Sequence, residues 1–259
     1  MADPNIIAVA NQKGGVGKTT TAVNLGAGLA AQGHRVLIID LDPQGNASTG
    51  VGNPVKGRKS TSYDLLSGRN SLTETTVPTS TDGLFLVPST SDLSSADMDF
   101  SSRADRIKLL KAVLQGAEGY DYILVDCPPA LGLLTVNALV AADSVLVPLQ
   151  TEFYALEGLS QLLMTVREVR QGANQSLRVN GVVLTMYDGR NNLSQQVEAD
   201  ARSTLGELVY DTIIPRNVRI SEAPSHGLPV TLYDPNSAGS RAYQALTKEF
   251  LSRQKEMRN

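Results

Sequence analysis

The stretch NQKGGVGKTTTAVNLG, residues 11–26, decides the fold. Gly17, Lys18 and Thr19 match the end of the phosphate-loop pattern G-x-x-x-x-G-K-[ST]. The glycine that opens this pattern is replaced by Gln12, and an additional lysine, Lys13, follows it. The apolar residues 5–10 predict a buried strand before the loop, and residues 19–32 predict a helix after it. This order of strand, loop and helix indicates a phosphate-binding site with an extra cation at its mouth.

Composition limits the classes of protein that this chain can belong to. The formal net charge of −3 argues against a surface that attracts nucleic acid over its whole extent, so any DNA binding needs a local patch. The single cysteine excludes an internal disulfide and argues against a cysteine-based metal site. The start MADPNIIAVA shows no basic stretch followed by an apolar run, and no segment approaches the roughly 18 apolar residues of a membrane helix. We therefore expect a cytoplasmic protein that does not bind membranes.

Alternation of strand and helix patterns predicts the fold class. Further strands are predicted at 35–41, 84–88, 121–126, 144–149 and 179–186, with a short seventh at 212–214, and the clearest helices at 103–115, 155–171 and 194–206. This order predicts a doubly wound α/β fold, in which a mostly parallel sheet carries helices on both faces. We interpret residues 1–259 as one domain with its core at about 5–250.

Two segments depart from this alternation. Residues 50–82 are rich in Gly, Ser, Thr and Asn and are interpreted as a surface excursion with one short helix near Tyr63–Leu66. The tail, residues 237–259, predicts a helix whose apolar face holds Ala242, Tyr243, Leu246 and Phe250. Packing of this face on the sheet is favoured, and a helix lying on a membrane is the alternative.

The phosphate-loop motif predicts a role for each of its residues. Gly14, Gly15 and Gly17 let the backbone curl so that its N–H groups point at phosphate oxygens. Lys18 would reach the β- and γ-phosphates, and the Thr19 hydroxyl would bind Mg²⁺. The predicted nucleotide contacts of the loop are Lys13, Gly14, Gly15, Val16, Gly17, Lys18, Thr19 and Thr20.

Acidic residues follow two of the predicted strands. Asp126 ends the apolar run YDYILVD, where a carboxylate that assists Mg²⁺ is expected beside a phosphate loop. Asp40 and Asp42 in IIDLDPQGN are two residues apart, so in an extended segment they point the same way. They could hold waters of Mg²⁺ and the attacking water. Cys127 is interpreted as a small buried residue, because no histidine lies near it in the sequence.

The motifs taken together resemble the ParA/Soj partition ATPases, within the wider ParA/MinD group that carries the deviant phosphate loop. The resemblance runs from about residue 5 to about residue 250 and rests on KGGVGKTT, DLDPQGN, VDCPPALGLLTVNAL, EFYALEGLSQL, VVLTMYDGRNNLS and IPRNVRISEAPSHGLPV. The loop identifies only the wider group, whereas EFYALEGL and IPRNVRISEAPSHG are typical of the chromosomal ParA type. The early first strand resembles the short ParA form, without an N-terminal helix-turn-helix domain.

The resemblance implies roles for the residues around the nucleotide. Lys13 matches the signature lysine that reaches across a dimer interface to the partner's phosphates, where it would offset the repulsion between two facing ATP molecules. Asp42 is implied as the residue that positions or activates the attacking water, and Asp40 as a support of Mg²⁺ through water. Asp126 and the following CPPALG would sense loss of the γ-phosphate. The adenine pocket would come from Met186 and from Pro215, Arg216 and Asn217.

The resemblance also implies DNA binding by the ATP-bound homodimer, without sequence specificity. Residues 178–259 hold 10 basic and 9 acidic residues, whereas residues 1–177 hold 13 and 17. Arg190 and Arg219 best match the family's DNA-binding positions. The candidate patch as a whole consists of Arg190, Arg202, Arg216, Arg219 and Arg241. On composition alone, solvated arginines are the simpler interpretation.

The function implied by the family is DNA segregation by a slow ATPase on the nucleoid, with ATP and Mg²⁺ as cofactors and hydrolysis stimulated by a ParB-type partner. Three alternatives remain at this point. A MinD-like membrane-positioning ATPase would need a longer, more basic and more apolar C-terminal helix. A relative of the nitrogenase iron protein would need two cysteines per subunit, and the chain has one. A kinase-like enzyme would need an acceptor pocket, of which the sequence gives no sign.

Overall fold

Seven strands form one sheet in the computed structural model, which describes residues 3–258. The strands are β1 (Asn5–Val9), β2 (Val36–Asp40), β3 (Val77–Pro78), β4 (Leu84–Val87), β5 (Tyr122–Asp126), β6 (Ser144–Gln150) and β7 (Arg178–Thr185). Their order is β3-β4-β2-β5-β1-β6-β7, and all pair in parallel except the edge pair β3–β4. The predicted α/β class with a mostly parallel sheet is confirmed. The predicted domain, residues 1–259, and the predicted tail helix, residues 237–259, each include terminal residues that lie outside the described range.

Helices cover both faces of the sheet. The α-helices of the described chain are α1 (Lys18–Ala31), α2 (Asn46–Gly50), α3 (Ser62–Ser67), α4 (Leu72–Thr75), α5 (Ala96–Asp99), α6 (Leu109–Leu114), α7 (Leu133–Ala141), α8 (Ala155–Gln171), α9 (Asn192–Leu205), α10 (Val218–Glu222), α11 (Val230–Tyr233) and α12 (Ala238–Arg258). One core cluster lies between the sheet and α6, α7 and α8, and the other between the sheet and α1 and α12. Because both faces are covered, β2 is apolar up to its last residue, the aspartate of VLIID.

The register of the central strands brings their carboxyl ends together. Asp126 at the end of β5 lies opposite Val9 of β1 on one side and opposite Asp40 of β2 on the other. The chain after β1 continues directly into the phosphate loop and α1. The fold therefore gathers the loop and two of the predicted acids at one edge of the sheet.

The C-terminal helix packs against the body of the protein. Tyr243, Leu246 and Phe250 are buried in the same cluster as the apolar side chains of α1. A Cβ at Gly28 of α1 would collide with the Thr247 side chain of α12, so the two helices approach each other closely. Of the two interpretations of this apolar face, packing on the sheet is confirmed. No helix within residues 3–258 is long and apolar enough to cross a membrane.

The structure departs from the predicted elements in several places. Residues 50–82 hold a second short helix, α4, in addition to the predicted one, which is α3. Residues 212–214 do not form a strand, although Ile214 exchanges backbone hydrogen bonds with Leu184 and Tyr187. The prediction was wrong because only isolated bridges form beside β7, at Val209 and Pro215. The additional strand is the two-residue edge strand β3, within the segment interpreted as irregular. The predicted helix at 103–115 is instead a 3₁₀ turn, Arg106–Lys108, followed by the short α6.

Candidate nucleotide site

The phosphate loop has the curled backbone that the sequence predicts. Gly15 and Gly17 have φ angles of 75° and 88°, in the left-handed region that side chains disfavour. Gly17 is the N-cap of α1, so the loop ends at the positive end of a 14-residue helix. Gly14 lies against Pro129, which places the loop beside the segment that follows Asp126. This backbone geometry fits a bound phosphate chain.

Lys18 is folded back over the loop. Its ammonium donates a 2.9 Å hydrogen bond to the carbonyl oxygen of Lys13, and its side chain is buried. Burial lowers the pKa of Lys18, whereas the negative charge of Asp126 opposes this shift. Lys18 is therefore a buried cation at the phosphate loop, on which the charges of Asp126 and Asp42 act.

Two residues that the sequence analysis missed hold the loop to neighbouring strands. Asn11 donates from its side-chain amide to the carbonyl of Pro148 at 2.8 Å, and its side-chain oxygen accepts from the amide of Lys13 at 3.0 Å. The Thr185 hydroxyl, at the end of β7, donates to the carbonyl of Val16 at 2.8 Å. Their positions at or just after strand ends are the only sequence signal that could have found them.

Asp40 is buried within hydrogen bonds from its own segment. Its carboxylate accepts from the Ser48 amide at 2.8 Å, from the Ser48 hydroxyl at 2.6 Å and from the Asp42 amide at 3.1 Å. Burial raises the pKa of Asp40 to about 6, although these hydrogen bonds favour the ionised form. Since its oxygens are already occupied, a role toward a metal would run through water.

Asp126 is the carboxylate with open acceptor sites. It is fully buried, and neither oxygen accepts a well-formed hydrogen bond from residues 3–258. Burial raises its pKa well above the usual range, the charge of Asp40 adds to this rise, and the Thr19 hydroxyl opposes it. A buried carboxylate that accepts no well-formed hydrogen bond is costly unless a cation or water satisfies it.

The oxygen ligands at this edge of the sheet fit Mg²⁺, because the Asp126 carboxylate has acceptor sites left unoccupied by residues 3–258. No group of three or more His, Cys, Asp or Glu side chains in the described chain could hold a metal by itself. Mg²⁺ binds through one or two carboxylates together with phosphates and water, so Thr19 and Asp126 meet that requirement once a nucleotide is bound.

Asp42 lies on the segment that leaves β2. Its carboxylate accepts a 3.0 Å hydrogen bond from the Gln44 amide, and its carbonyl accepts a 2.6 Å hydrogen bond from the Ser89 hydroxyl. The side chain is buried, and its charge acts on Lys18. The structure therefore brings Asp40, Asp42, Asp126 and Lys18 to one edge of the sheet.

Lys13 has a different environment from Lys18. Its ammonium pairs with the carboxylate of Glu152 at 2.7 Å, and both side chains are more than one-third exposed, at 36% and 39%. The next two residues, Phe153 and Tyr154, are 73% and 65% exposed, and their rings contact each other edge to face at 5.0 Å. A half-buried cation therefore pairs with the carboxylate that precedes an exposed aromatic pair in the chain.

The predicted adenine residues come from two segments that meet. Met186 has a φ of 52°, a left-handed conformation that is uncommon for a non-glycine residue. The neighbouring Tyr187 bridges to Pro215 and accepts a 2.9 Å hydrogen bond from the Arg216 amide. Asn217 accepts from the Arg219 amide at 3.0 Å and begins α10.

The two arginines predicted to bind DNA are exposed and already paired with carboxylates. Arg190 is 92% exposed and donates two hydrogen bonds to Asp188, at 3.0 and 2.9 Å. Arg219 pairs with Glu222 at 2.8 Å and with Asp234 at 3.3 Å. Their accessibility suits a phosphate contact, while the acidic neighbours reduce the local positive charge. Cys127 is buried, and burial raises the pKa of its thiol, in agreement with its interpretation as a packing residue.

A glycine-rich loop between β1 and α1, with buried acids at the neighbouring strand ends, defines a phosphate-loop nucleotide-binding protein. Residues 4–179 match a protein-family model described as an AAA domain. The chain is 54% identical over 254 residues to the chromosome partitioning protein ParA of Caulobacter vibrioides, covering 97% of this chain and 95% of that protein. It is 51% identical over 245 residues to the sporulation initiation inhibitor protein Soj of Bacillus subtilis, covering 94% and 97%. The chain belongs to the ParA/Soj family of chromosome-partitioning ATPases.

Solved structures share the fold. A cobyrinic acid a,c-diamide synthase from Mycobacterium smegmatis, with bound ADP and magnesium, superposes with a TM-score of 0.85 at 36% identity and covers 97% of this chain and 96% of its own. The cell division ATPase MinD of Pyrococcus furiosus gives a TM-score of 0.78 at 26% identity, covering 96% and 98%. The fold is thus shared by proteins of different names, so the fold by itself does not select among their functions.

Proposed function

We propose that this protein is an ATP-driven switch for DNA segregation. The ATP-bound homodimer binds DNA without sequence specificity, and hydrolysis, stimulated by a ParB-type partner, releases it. We infer a cytoplasmic, nucleoid-associated location from this activity. The observation that carries the proposal is the half-exposed Lys13, which pairs with Glu152 beside two exposed aromatic side chains.

The dimer follows from the difference between the two lysines of the loop. Lys18 is buried against its own loop, whereas Lys13 is accessible from outside the protomer. A second copy of the chain would cover Phe153 and Tyr154 and would bring its nucleotide near Lys13. The cation would then offset the repulsion between two ATP molecules, so that dimerisation requires ATP.

Hydrolysis would use the residues at the carboxyl edge of the sheet. Thr19 and Asp126 would hold Mg²⁺, Asp40 would support it through water, and Lys18 would bind the β- and γ-phosphates. Mg²⁺ supplies charge neutralisation on the phosphates. Asp42 would orient the attacking water and accept its proton. We expect slow turnover by the protein alone, because nothing in the sequence resembles an added arginine finger.

DNA binding would use Arg190 and Arg219 from both copies in the dimer. Each arginine must exchange its carboxylate partner for a phosphate, which makes the contact weak in a single protomer. Doubling the number of contacts in the dimer raises affinity and makes it steeply dependent on salt. This weakness of the single protomer suits release after hydrolysis.

The test is binding of the purified protein to a non-specific duplex with no nucleotide, ADP, ATP or a slowly hydrolysed ATP analogue, at two salt concentrations. We expect binding only with ATP or the analogue, and its loss at the higher salt. Absence of DNA binding in every state would contradict the proposal, and binding to lipid vesicles under the same conditions would then favour a membrane-positioning ATPase.

A double variant, Arg190→Ala with Arg219→Ala, tests the DNA residues. We expect weaker DNA binding with unchanged ATP-dependent dimerisation. Arg103→Ala is a matched control, because Arg103 pairs with Asp105 at 2.9 Å in the same way that Arg190 pairs with Asp188. If the double variant binds DNA as tightly as the control, the DNA-binding patch lies elsewhere.

A further inference from the structure

Arg58 makes an unusual concentration of hydrogen bonds within the segment that the sequence analysis interpreted as an excursion. Its guanidinium donates to the carbonyl oxygens of Ser89 at 2.7 Å, Gly45 at 3.2 Å and Asn53 at 2.8 and 3.2 Å, and to the Thr49 hydroxyl at 2.8 Å. Three of these acceptors lie within residues 42–53, which we call the Asp42 segment, and the fourth lies just beyond β4. Arg58 therefore fastens the Asp42 segment to the sheet.

Ser89 connects this guanidinium to Asp42. The Ser89 carbonyl accepts from Arg58, while the Ser89 hydroxyl donates to the carbonyl of Asp42 at 2.6 Å. The Ser89 amide donates to the Ser48 hydroxyl at 3.0 Å, and that hydroxyl donates to Asp40. One continuous set of hydrogen bonds thus runs from Arg58 to the backbone of Asp42 and to the carboxylate of Asp40.

The absence of a side chain at Gly45 makes room for the guanidinium of Arg58. Gly45 has a φ of 62°, and a Cβ there would collide with the Arg58 guanidinium and with the Ser89 carbonyl. A glycine at this position meets both requirements. Burial lowers the pKa of Arg58, while the charge of Asp40 opposes this shift, so the cation is partly removed from water and lies within reach of the acidic edge.

A lysine in place of Arg58 could not form this set of hydrogen bonds. The planar guanidinium presents donors in a fixed fork and reaches four groups at once, whereas an ammonium is a point donor on a flexible stem. The acceptors are carbonyl and hydroxyl oxygens spread from residue 45 to residue 89, so geometry matters here as well as charge.

We propose that Arg58 is a positioning residue for ATP hydrolysis, which holds the Asp42 segment so that the Asp42 carboxylate stays at the place of the attacking water. The inference rests on the proposed function, since it takes the water-positioning role of Asp42 from there. Misplacement of a catalytic group by about 1 Å costs roughly 10²-fold in rate. Loss of Arg58 should therefore lower turnover, whereas the phosphate loop, which Arg58 does not contact, should keep its affinity for ADP.

The experiment compares Arg58→Ala and Arg58→Lys with the wild type and with Arg69→Ala. Arg69 is a matched control, because it comes from the same excursion, its side chain is 65% exposed, and it pairs with the Asp64 carboxylate at 3.7 Å and lies over the Tyr63 ring. The measurements are kcat for ATP, the affinity for ADP and hydrogen–deuterium exchange of the amides of residues 43–53. We expect kcat to fall by about 10-fold to 10²-fold in both Arg58 variants, with ADP affinity within about twofold of the wild type. Amide exchange at 43–53 should be faster in both Arg58 variants than in Arg69→Ala.

Two results would overturn the inference. One is a kcat in Arg58→Lys equal to that of Arg69→Ala, since an ammonium cannot form the same set of hydrogen bonds. The other is a parallel loss of kcat and ADP affinity in Arg58→Lys, which would indicate a general structural role; this variant decides if Arg58→Ala does not fold. A wild type without ATPase activity would refute the proposed function instead, and the exchange measurement would still test whether Arg58 holds the Asp42 segment.

Discussion

The phosphate loop and the Asp42 segment lie at the same edge of the sheet but are held in different ways. Within the loop, the side chains of Asn11 and Lys18 bond to the backbone amide and carbonyl of Lys13, and the curl comes from glycines at positive φ. The Asp42 segment depends on Ser89 and Arg58, which come from other parts of the chain. The loop conformation is thus specified mostly by its own residues, although Asn11 and Thr185 also tie it to β6 and β7, whereas the Asp42 segment depends on side chains from other parts of the chain. Variants of the loop should change affinity, and variants around the Asp42 segment should change turnover.

The largest effect is expected from Lys18→Ala, a variant of the phosphate loop, and it should be a loss of ATP affinity. Two charge-assisted hydrogen bonds to phosphate at about 1.5–3 kcal/mol each correspond to a loss of ATP affinity of about 10²-fold or more. Titration with ATP and Mg²⁺ measures it, and Lys248→Ala, an exposed lysine on α12, is the control. Normal ATP binding by Lys18→Ala would refute the assignment of the loop.

Asp42→Ala should have the next largest effect, on turnover and not on affinity. Removal of the group that orients the water should lower kcat by about 10²-fold or more, while ATP still binds and the dimer persists. Single-turnover hydrolysis and the oligomeric state with ATP are the measurements. Asp82→Ala, an exposed aspartate, is the control. Rapid turnover by Asp42→Ala would refute the water-positioning role of Asp42. The Asp42 segment would then no longer differ from the phosphate loop in controlling turnover.

The same contrast explains how far the sequence predicts the molecule. Hydrophobic patterns and the motif predict the α/β class, the loop and the acids at strand ends, because these depend on short-range order and on the parallel sheet. The sequence did not predict Ser89, Thr185 or Arg58 as part of the site, since each acts through a hydrogen bond to a residue far along the chain. The false strand at 212–214 has a related cause, because its residues fit a strand pattern in the sequence but only isolated bridges form beside β7.

Ser89→Ala sharpens the comparison with a smaller change. It removes the hydroxyl that donates to the carbonyl of Asp42 and leaves that buried acceptor without this donor. A cost of about 1.4 kcal/mol, if it falls on the transition state, lowers kcat by about tenfold. Ser94→Ala is the control, because the Ser94 hydroxyl also donates to a backbone carbonyl, that of Ser91, but at an exposed position. A change in ADP affinity without a change in kcat would contradict the division between the two regions.

Thr185→Val should have the smallest effect, and it should fall on affinity. The Thr185 hydroxyl holds the Val16 carbonyl at 2.8 Å, and this bond joins the phosphate loop to β7. Valine keeps the shape of the side chain and removes the donor, so the loop loses about 1 kcal/mol of support, or about fivefold in ATP affinity. Thr165→Val is the matched control, since its hydroxyl donates to the carbonyl of Gln161 within α8, away from the loop. Because Val16 lies between two glycines at positive φ, a small loss here should let the loop populate other conformations without unfolding the sheet. A fall in kcat with unchanged affinity would mean that the loop, like the Asp42 segment, positions the reacting groups, and the distinction between a loop that sets affinity and an Asp42 segment that sets turnover would no longer hold.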